Sequence, residues 1–141
     1  MVWWHSLVNK FIFKVLLGGP SGSGKTTFLT GTPYQDREYS YIGVSFNLLE
    51  CEVNSRDHYT FQVWDFNDNF HHRFLFPSFC LGAKGALLCF DLSDPTSFED
   101  LDYWIDLMRT HDPELPILLI GTKNDLINKV SEDQISQLME E

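Results

Sequence analysis

Gly19-Pro20-Ser21-Gly22-Ser23-Gly24-Lys25-Thr26 fills every fixed position of the phosphate-binding pattern G-x-x-x-x-G-K-[ST]. Gly19, Gly22 and Gly24 let the backbone turn tightly, so that successive N–H groups point inward at phosphate oxygens. In that chemistry Lys25 reaches the β and γ phosphates, and the Thr26 hydroxyl takes one Mg²⁺ position. The flanks separate a site from a Gly/Ser-rich surface turn. Phe11-Ile12-Phe13-Lys14-Val15-Leu16-Leu17 is a β-branched and aromatic run that stops at Gly18-Gly19, a strand entering a turn. Thr26-Thr27-Phe28-Leu29-Thr30 then opens a helix whose N-terminal dipole faces the phosphates. Every residue from Gly19 to Thr27 is therefore a candidate nucleotide contact.

Composition narrows what such a loop serves. The 141 residues suit a single domain with one sizeable core, residues 1–10 forming an N-terminal extension. Aromatic content of 15% rules out a disordered chain, and a formal charge of −10 argues against nucleic-acid or anionic-membrane partners. Cys51, Cys80 and Cys89 are odd in number, lack metal spacing and lie in apolar stretches, so they read as reduced core thiols of a cytoplasmic protein. His71-His72 is the one histidine pair, and adjacent residues point in different directions on regular structure. The N-terminal Trp3-Trp4 segment is apolar but lacks the basic region and cleavage site of a signal peptide. No apolar run approaches the ~20 residues that span a bilayer. The C-terminal Leu138-Met139-Glu140-Glu141 carries no prenylation box, so no lipid-anchor motif is expected.

Further along the chain, Val44 to Val53 and Tyr59 to Asp65 read as two strands of an antiparallel hairpin turning at Asn54 to Asp57. Asp65 to Leu75 shows no period and reads as a mobile loop. Gly85 to Asp91 is a near-continuous apolar run, as expected of a central parallel strand buried on both faces. Asp94 to Glu99 opens a helix whose Leu101, Trp104, Ile105 and Met108 form an apolar face. Pro116 to Ile120 is the next buried strand, and Ser131 with Gln134 marks the start of a last helix. The alternation predicts an α/β fold: a mostly parallel sheet with helices on both faces.

Five segments together resemble the Ras/Rab/Rho superfamily of small GTPases. They are the glycine loop, the Tyr41-Ile42-Gly43-Val44-Ser45-Phe46 segment, Trp64-Asp65, Pro77 to Gly85, and Thr122-Lys123-Asn124-Asp125. Their order and spacing match from about Lys10 onward. The resemblance implies a P-loop GTPase fold and a GTP/GDP ligand with Mg²⁺. It implies metal ligation by Thr26 and, through water, by Asp65. It further implies base contacts from Thr122, Lys123 and Asp125. Asp125 would accept two hydrogen bonds from guanine that adenine cannot donate, a discrimination worth roughly 10⁴-fold. Protein effectors or regulators would meet residues 34–46 and 65–77.

Several positions depart from the family. Tyr41 replaces the threonine that ligates Mg²⁺ and senses the γ-phosphate, with Ser40 beside it. Asp68 stands where a glycine amide meets that phosphate; at ~6 Å its charge costs about 3 kcal/mol at an effective dielectric of 20. Asn69 stands for the water-positioning glutamine, one methylene short; with Lys25 it completes the candidate catalytic pair. Counterparts of the family's last strand, its base-backing loop and its C-terminal helix are absent. An apolar sheet face and edge are therefore expected to be uncovered unless the Trp3-Trp4 segment or a partner covers them. Three readings remain open: a switch that hydrolyses GTP slowly, a guanine-nucleotide-binding scaffold without turnover, and a P-loop ATPase or kinase.

Overall fold

The computed structural model describes residues 9–31, 42–53, 56–67 and 70–139. Trp3, Trp4, Ser40, Tyr41, Asp68 and Asn69 lie outside them. The aromatic run that leads into the glycine loop becomes β1 (Asn9–Gly18), and it is the strand around which the sheet is built. It pairs in parallel with β3 (Asp57–Phe66) on one side and with β4 (Gly85–Asp91) on the other. β2 (Val44–Glu52) adds antiparallel to β3, and β5 (Ile117–Thr122) adds parallel to β4. The order β2-β3-β1-β4-β5 makes a five-stranded, mostly parallel sheet, as the alternation of periods predicts.

The two faces of this sheet are covered unequally. On one, Leu16, Phe66, Leu88 and Phe90 meet α2 (Phe76–Cys80), α4 (Leu101–Met108) and α5 (Glu132–Met139) in the main core. Phe66, Phe76 and Trp104 stack within it, centroids 4.8 Å apart for the first pair and 6.2 Å for the second. On the other face Leu17, Val63 and Cys89 pack against Leu29 of α1 (Lys25–Thr30). Beyond that patch an aromatic ladder, Phe11 on Tyr59 at 5.0 Å and Phe13 on Phe61 at 6.0 Å, runs toward the far end of the sheet, where Phe11 is exposed. Among the described residues β5 pairs with β4 alone, Leu118 is 62% exposed, and a groove of about 850 Å³ lies between α4, β5 and α5.

Three expectations are corrected. The stretch from Asp65 to Leu75 is more ordered than its lack of period implies: β3 continues through Phe66, and Phe70–Leu75 forms a 3₁₀ helix leading into α2. The stack of Phe66 on Phe76 supplies the long-range anchor that local periodicity does not report. The helix expected from Asp94 divides at Asp100 into α3 (Pro95–Glu99) and α4. That turn lets Phe98 pack on Phe90 while Leu101, Trp104 and Met108 face the sheet. Cys51 is exposed rather than a core thiol, because it lies on β2, an edge strand among the described residues. Cys80 and Cys89 are buried, and burial pushes their thiols up to about 11 and about 12. The Ser131 cap is as expected: the Ser131 N–H donates to Gln134 Oε1 (3.0 Å) and the Gln134 N–H to Ser131 Oγ (3.2 Å). Among the described residues no helix is long and apolar enough to cross a membrane.

Trp104 is fully buried, yet its Nε1–H has no acceptor among the described residues. Trp104→Ala is expected to cost about 3–5 kcal/mol in urea unfolding through the cavity it leaves. Trp104→Phe is expected to cost less than about 2 kcal/mol, because it also removes an unsatisfied donor. Equal losses would show that the indole N–H carries weight the geometry does not reveal.

Candidate functional site

The strand that enters the glycine loop ends against the core, and the loop then crosses the C-terminal end of β4. Gly19 has φ 130°, and a Cβ on it would lie 2.1 Å from the Cys89 carbonyl oxygen. A backbone atom cannot swing aside, so this crossing admits only glycine. Gly22 and Gly24 also have positive φ (78° and 79°), and the space beside Gly22 is open. Gly24 caps α1 in the left-handed conformation with no side-chain hydrogen bond, leaving the first-turn amides to a different acceptor.

Lys25 is buried at the inner wall. Its Nζ donates to the carbonyls of Gly19 (2.6 Å) and Pro20 (2.8 Å), so the loop holds its own cation. Thr26 Oγ1 lies 3.3 Å from Oδ2 of Asp65, which is buried on β3. A hydroxyl and a carboxylate side by side form an all-oxygen donor set of the kind Mg²⁺ takes, with its remaining positions filled by water and phosphate. Ser21, Gly22, Gly24, Lys25, Thr26, Thr27, Asp65 and Lys123 all line one cleft of about 570 Å³. Gly19, Pro20 and Ser23 stand behind it as the loop's support, and Ser23 is fully buried.

The Thr122-Lys123-Asn124-Asp125 segment reaches the loop from the end of β5. The Thr122 hydroxyl lies 2.8 Å from the Ser23 carbonyl and 2.9 Å from the Phe90 carbonyl, so its single hydrogen is shared between them. Lys123 takes φ 56°, the one positive-φ residue other than glycine among those described. Its Nζ pairs with Oδ2 of Asp91 at 2.5 Å. Asp125 is exposed and does not line the cleft, while Asn124 faces the groove on the other side of β5. Asn69 falls outside the described residues.

Asp91 is the residue that sequence reasoning passed over. It is buried, and its burial would raise its pKa, yet the Lys123 ammonium and two bonds from Ser93 hold the carboxyl below its ordinary value. The available signal was an acid ending a strand that is otherwise apolar on both faces, at the edge where open α/β sheets place their ligands. A second omission is an aromatic cluster. Phe46 (57% exposed) meets Trp64 edge-on at 4.6 Å, Trp64 meets Phe79 at 5.9 Å, and Lys14 Nζ lies 3.6 Å over the Trp64 ring.

Thr122→Val keeps the shape and removes the hydrogen that two carbonyls share. It is expected to destabilise the chain by about 1–2 kcal/mol in thermal or urea unfolding, with Thr122→Ser restoring most of the loss. Full stability of the valine variant would show that the contact between loop and strand does not depend on this bond.

The family model for the Ras family matches residues 14–141. Ras-related protein RABA2a of Arabidopsis thaliana is 37% identical over 120 residues, 82% of this chain and 55% of that protein. Ras-related protein RIC2 of Oryza sativa subsp. japonica is 33% identical over 125 residues, 86% of this chain and 57% of its own length. Ras-related protein YPTC6 of Chlamydomonas reinhardtii is 33% identical over 120 residues, again 82% and 55%. The chain thus spans little more than half the length of the curated relatives it matches. A parallel sheet entered through a glycine loop, a threonine and an aspartate meeting beneath it, and this extent of sequence identity agree: the chain belongs to the Ras family.

Proposed function

We propose that the chain binds a guanine nucleotide with Mg²⁺ and acts as a small GTP-binding switch of slow turnover. The observation that carries this reading is the single cleft in which Lys25, Thr26 and Asp65 meet beneath the glycine loop, with Lys123 at its rim. Backbone N–H groups of the loop between Ser21 and Thr27 and the Lys25 ammonium bind the phosphates, with Gly19, Pro20 and Ser23 shaping the loop behind them. Thr26 and, through water, Asp65 would hold Mg²⁺, which would supply charge neutralisation at the phosphates. Asp125 reads the N1–H and N2–H groups of guanine, and the Lys123 stem packs over the base. Lys25 stabilises the charge of in-line attack by water, and Asn69 orients that water. The cluster of Phe46, Trp64 and Phe79, together with residues 34–46 and 65–77 of the sequence, is the surface for a protein partner. Phe46 is exposed beside the half-buried Trp64 and Phe79, and contiguous apolar surface of this kind marks interaction sites. Unchanged partner affinity after Phe46→Ala would remove it from that role.

The sequence at Asp68 and Asn69, with Tyr41, favours one second reading: a nucleotide-binding scaffold without turnover. The short Asn69 misplaces the water by ~1 Å, which costs on the order of 100-fold in rate. Single-turnover hydrolysis by the purified chain, with Lys25→Ala as control, separates the two. Measurable but slow cleavage supports the switch, none with intact affinity supports the scaffold, and an ordinary small-GTPase rate overturns the expectation of slow turnover. For the ligand itself, GTP is expected to displace a fluorescent GDP while ATP does not. Asp125→Ala is expected to weaken GDP by roughly 10²–10⁴-fold, because the base donors lose their acceptor. Preference for ATP would overturn the guanine reading.

A further inference from the structure

Asp91 is built into the site more firmly than a surface acid would be. It is 6% exposed, and Ser93 and Lys123 hold its carboxylate while Ser97 holds its backbone N–H. Oδ1 accepts from the Ser93 N–H (2.8 Å) and from the Ser93 hydroxyl (2.6 Å). The Asp91 N–H donates to Oγ of Ser97 (2.8 Å), itself buried and within 2.8 Å of the Asp94 carbonyl. Oδ2 is thereby aimed at Lys123 Nζ, 2.5 Å away.

The same turn after β4 also carries the backbone of the segment after β5. The Leu92 N–H donates to the Thr122 carbonyl (3.1 Å), and the Leu92 carbonyl accepts from the Lys129 N–H (2.8 Å). Lys123 sits between these two anchors with φ 56°, a conformation that a residue with a side chain rarely adopts. Its backbone is held by the flanking bonds and its ammonium by Asp91, so both ends of the lysine stem are fixed at the rim of the cleft.

We propose that Asp91 is a positioning residue for guanine-nucleotide binding: by pinning the Lys123 ammonium it sets the lysine stem in place for the base. The inference rests on the nucleotide reading above. A lysine stem has four rotatable bonds, and ordering it at the moment of binding would subtract from affinity; an anchored stem has lost that freedom already. Exposed ion pairs contribute little because water competes for both partners. Here one partner is buried, with its second oxygen already satisfied, so the pair has a defined geometry.

The test is a double-mutant cycle on the full chain, read by equilibrium titration with fluorescent GDP and by thermal unfolding. Asp91→Asn is expected to weaken GDP about tenfold, within the range for coupled neighbours. Lys123→Met is expected to weaken it at least as much. In the Lys123→Met background, Asp91→Asn is expected to change affinity by less than about twofold. If Asp91→Asn does not fold, Ser93→Ala loosens the carboxylate without removing its charge and completes the same cycle, with a several-fold loss only where Lys123 is present. Equal losses in both backgrounds would make Asp91 a strut for the fold and overturn the proposal, as would unchanged GDP affinity in the variant tested. Absence of GDP binding by the unaltered chain would instead overturn the nucleotide reading, and this inference with it.

Discussion

One hydroxyl hydrogen, on Thr122, joins segments that are about a hundred residues apart in the chain. It lies between the Ser23 carbonyl of the glycine loop and the Phe90 carbonyl of β4, 2.8 and 2.9 Å from its oxygen. The glycine loop and the segment after β5 are thereby parts of one rigid edge rather than two neighbouring loops. The close crossing of Gly19 over Cys89 fixes the loop on the other side. Between these two constraints Lys25 is held by carbonyls of its own loop, so the cation is already at the cleft wall and need not be gathered from solvent.

The division of labour across the sheet follows from where the side chains alternate. One face of β1, β3 and β4 is sealed by aromatic stacking of Phe66, Phe76 and Trp104, and this holds the ends of the strands in register. On the opposite face, among the described residues, Leu29 packs near the loop and the aromatic ladder runs out to an exposed Phe11. The site therefore stands at the best-packed end of the sheet. That is the mechanical requirement for a cleft whose contacts must stay within a fraction of an ångström.

The parts of the site that lie on short sequence patterns were legible in advance. Gly19 to Thr26 announces its turn because each glycine answers to a backbone conformation or a close approach. The strands were legible because apolar runs bounded by turn residues leave few alternatives. The order around Phe70–Leu75 was not legible, since Phe76 finds Phe66 across the fold and not along the chain. Nor was the pairing of the buried Asp91, whose partner Lys123 is distant in sequence. The exposure of Cys51 was misread for the opposite reason: an apolar neighbourhood in sequence lies here on the edge strand β2, where Cys51 is exposed.

By itself, the sequence determined the loop, the strand-and-helix alternation and the family, because these depend on local backbone chemistry and on hydrophobic period. Only the tertiary structure decided which polar groups meet. Thr26 faces Asp65, Thr122 clasps Ser23, and Lys123 pairs with Asp91 because parallel strands bring their C-terminal ends to one edge. Hydrogen bonds and ion pairs act over about 3 Å, and no pattern along a chain reports distances between strands.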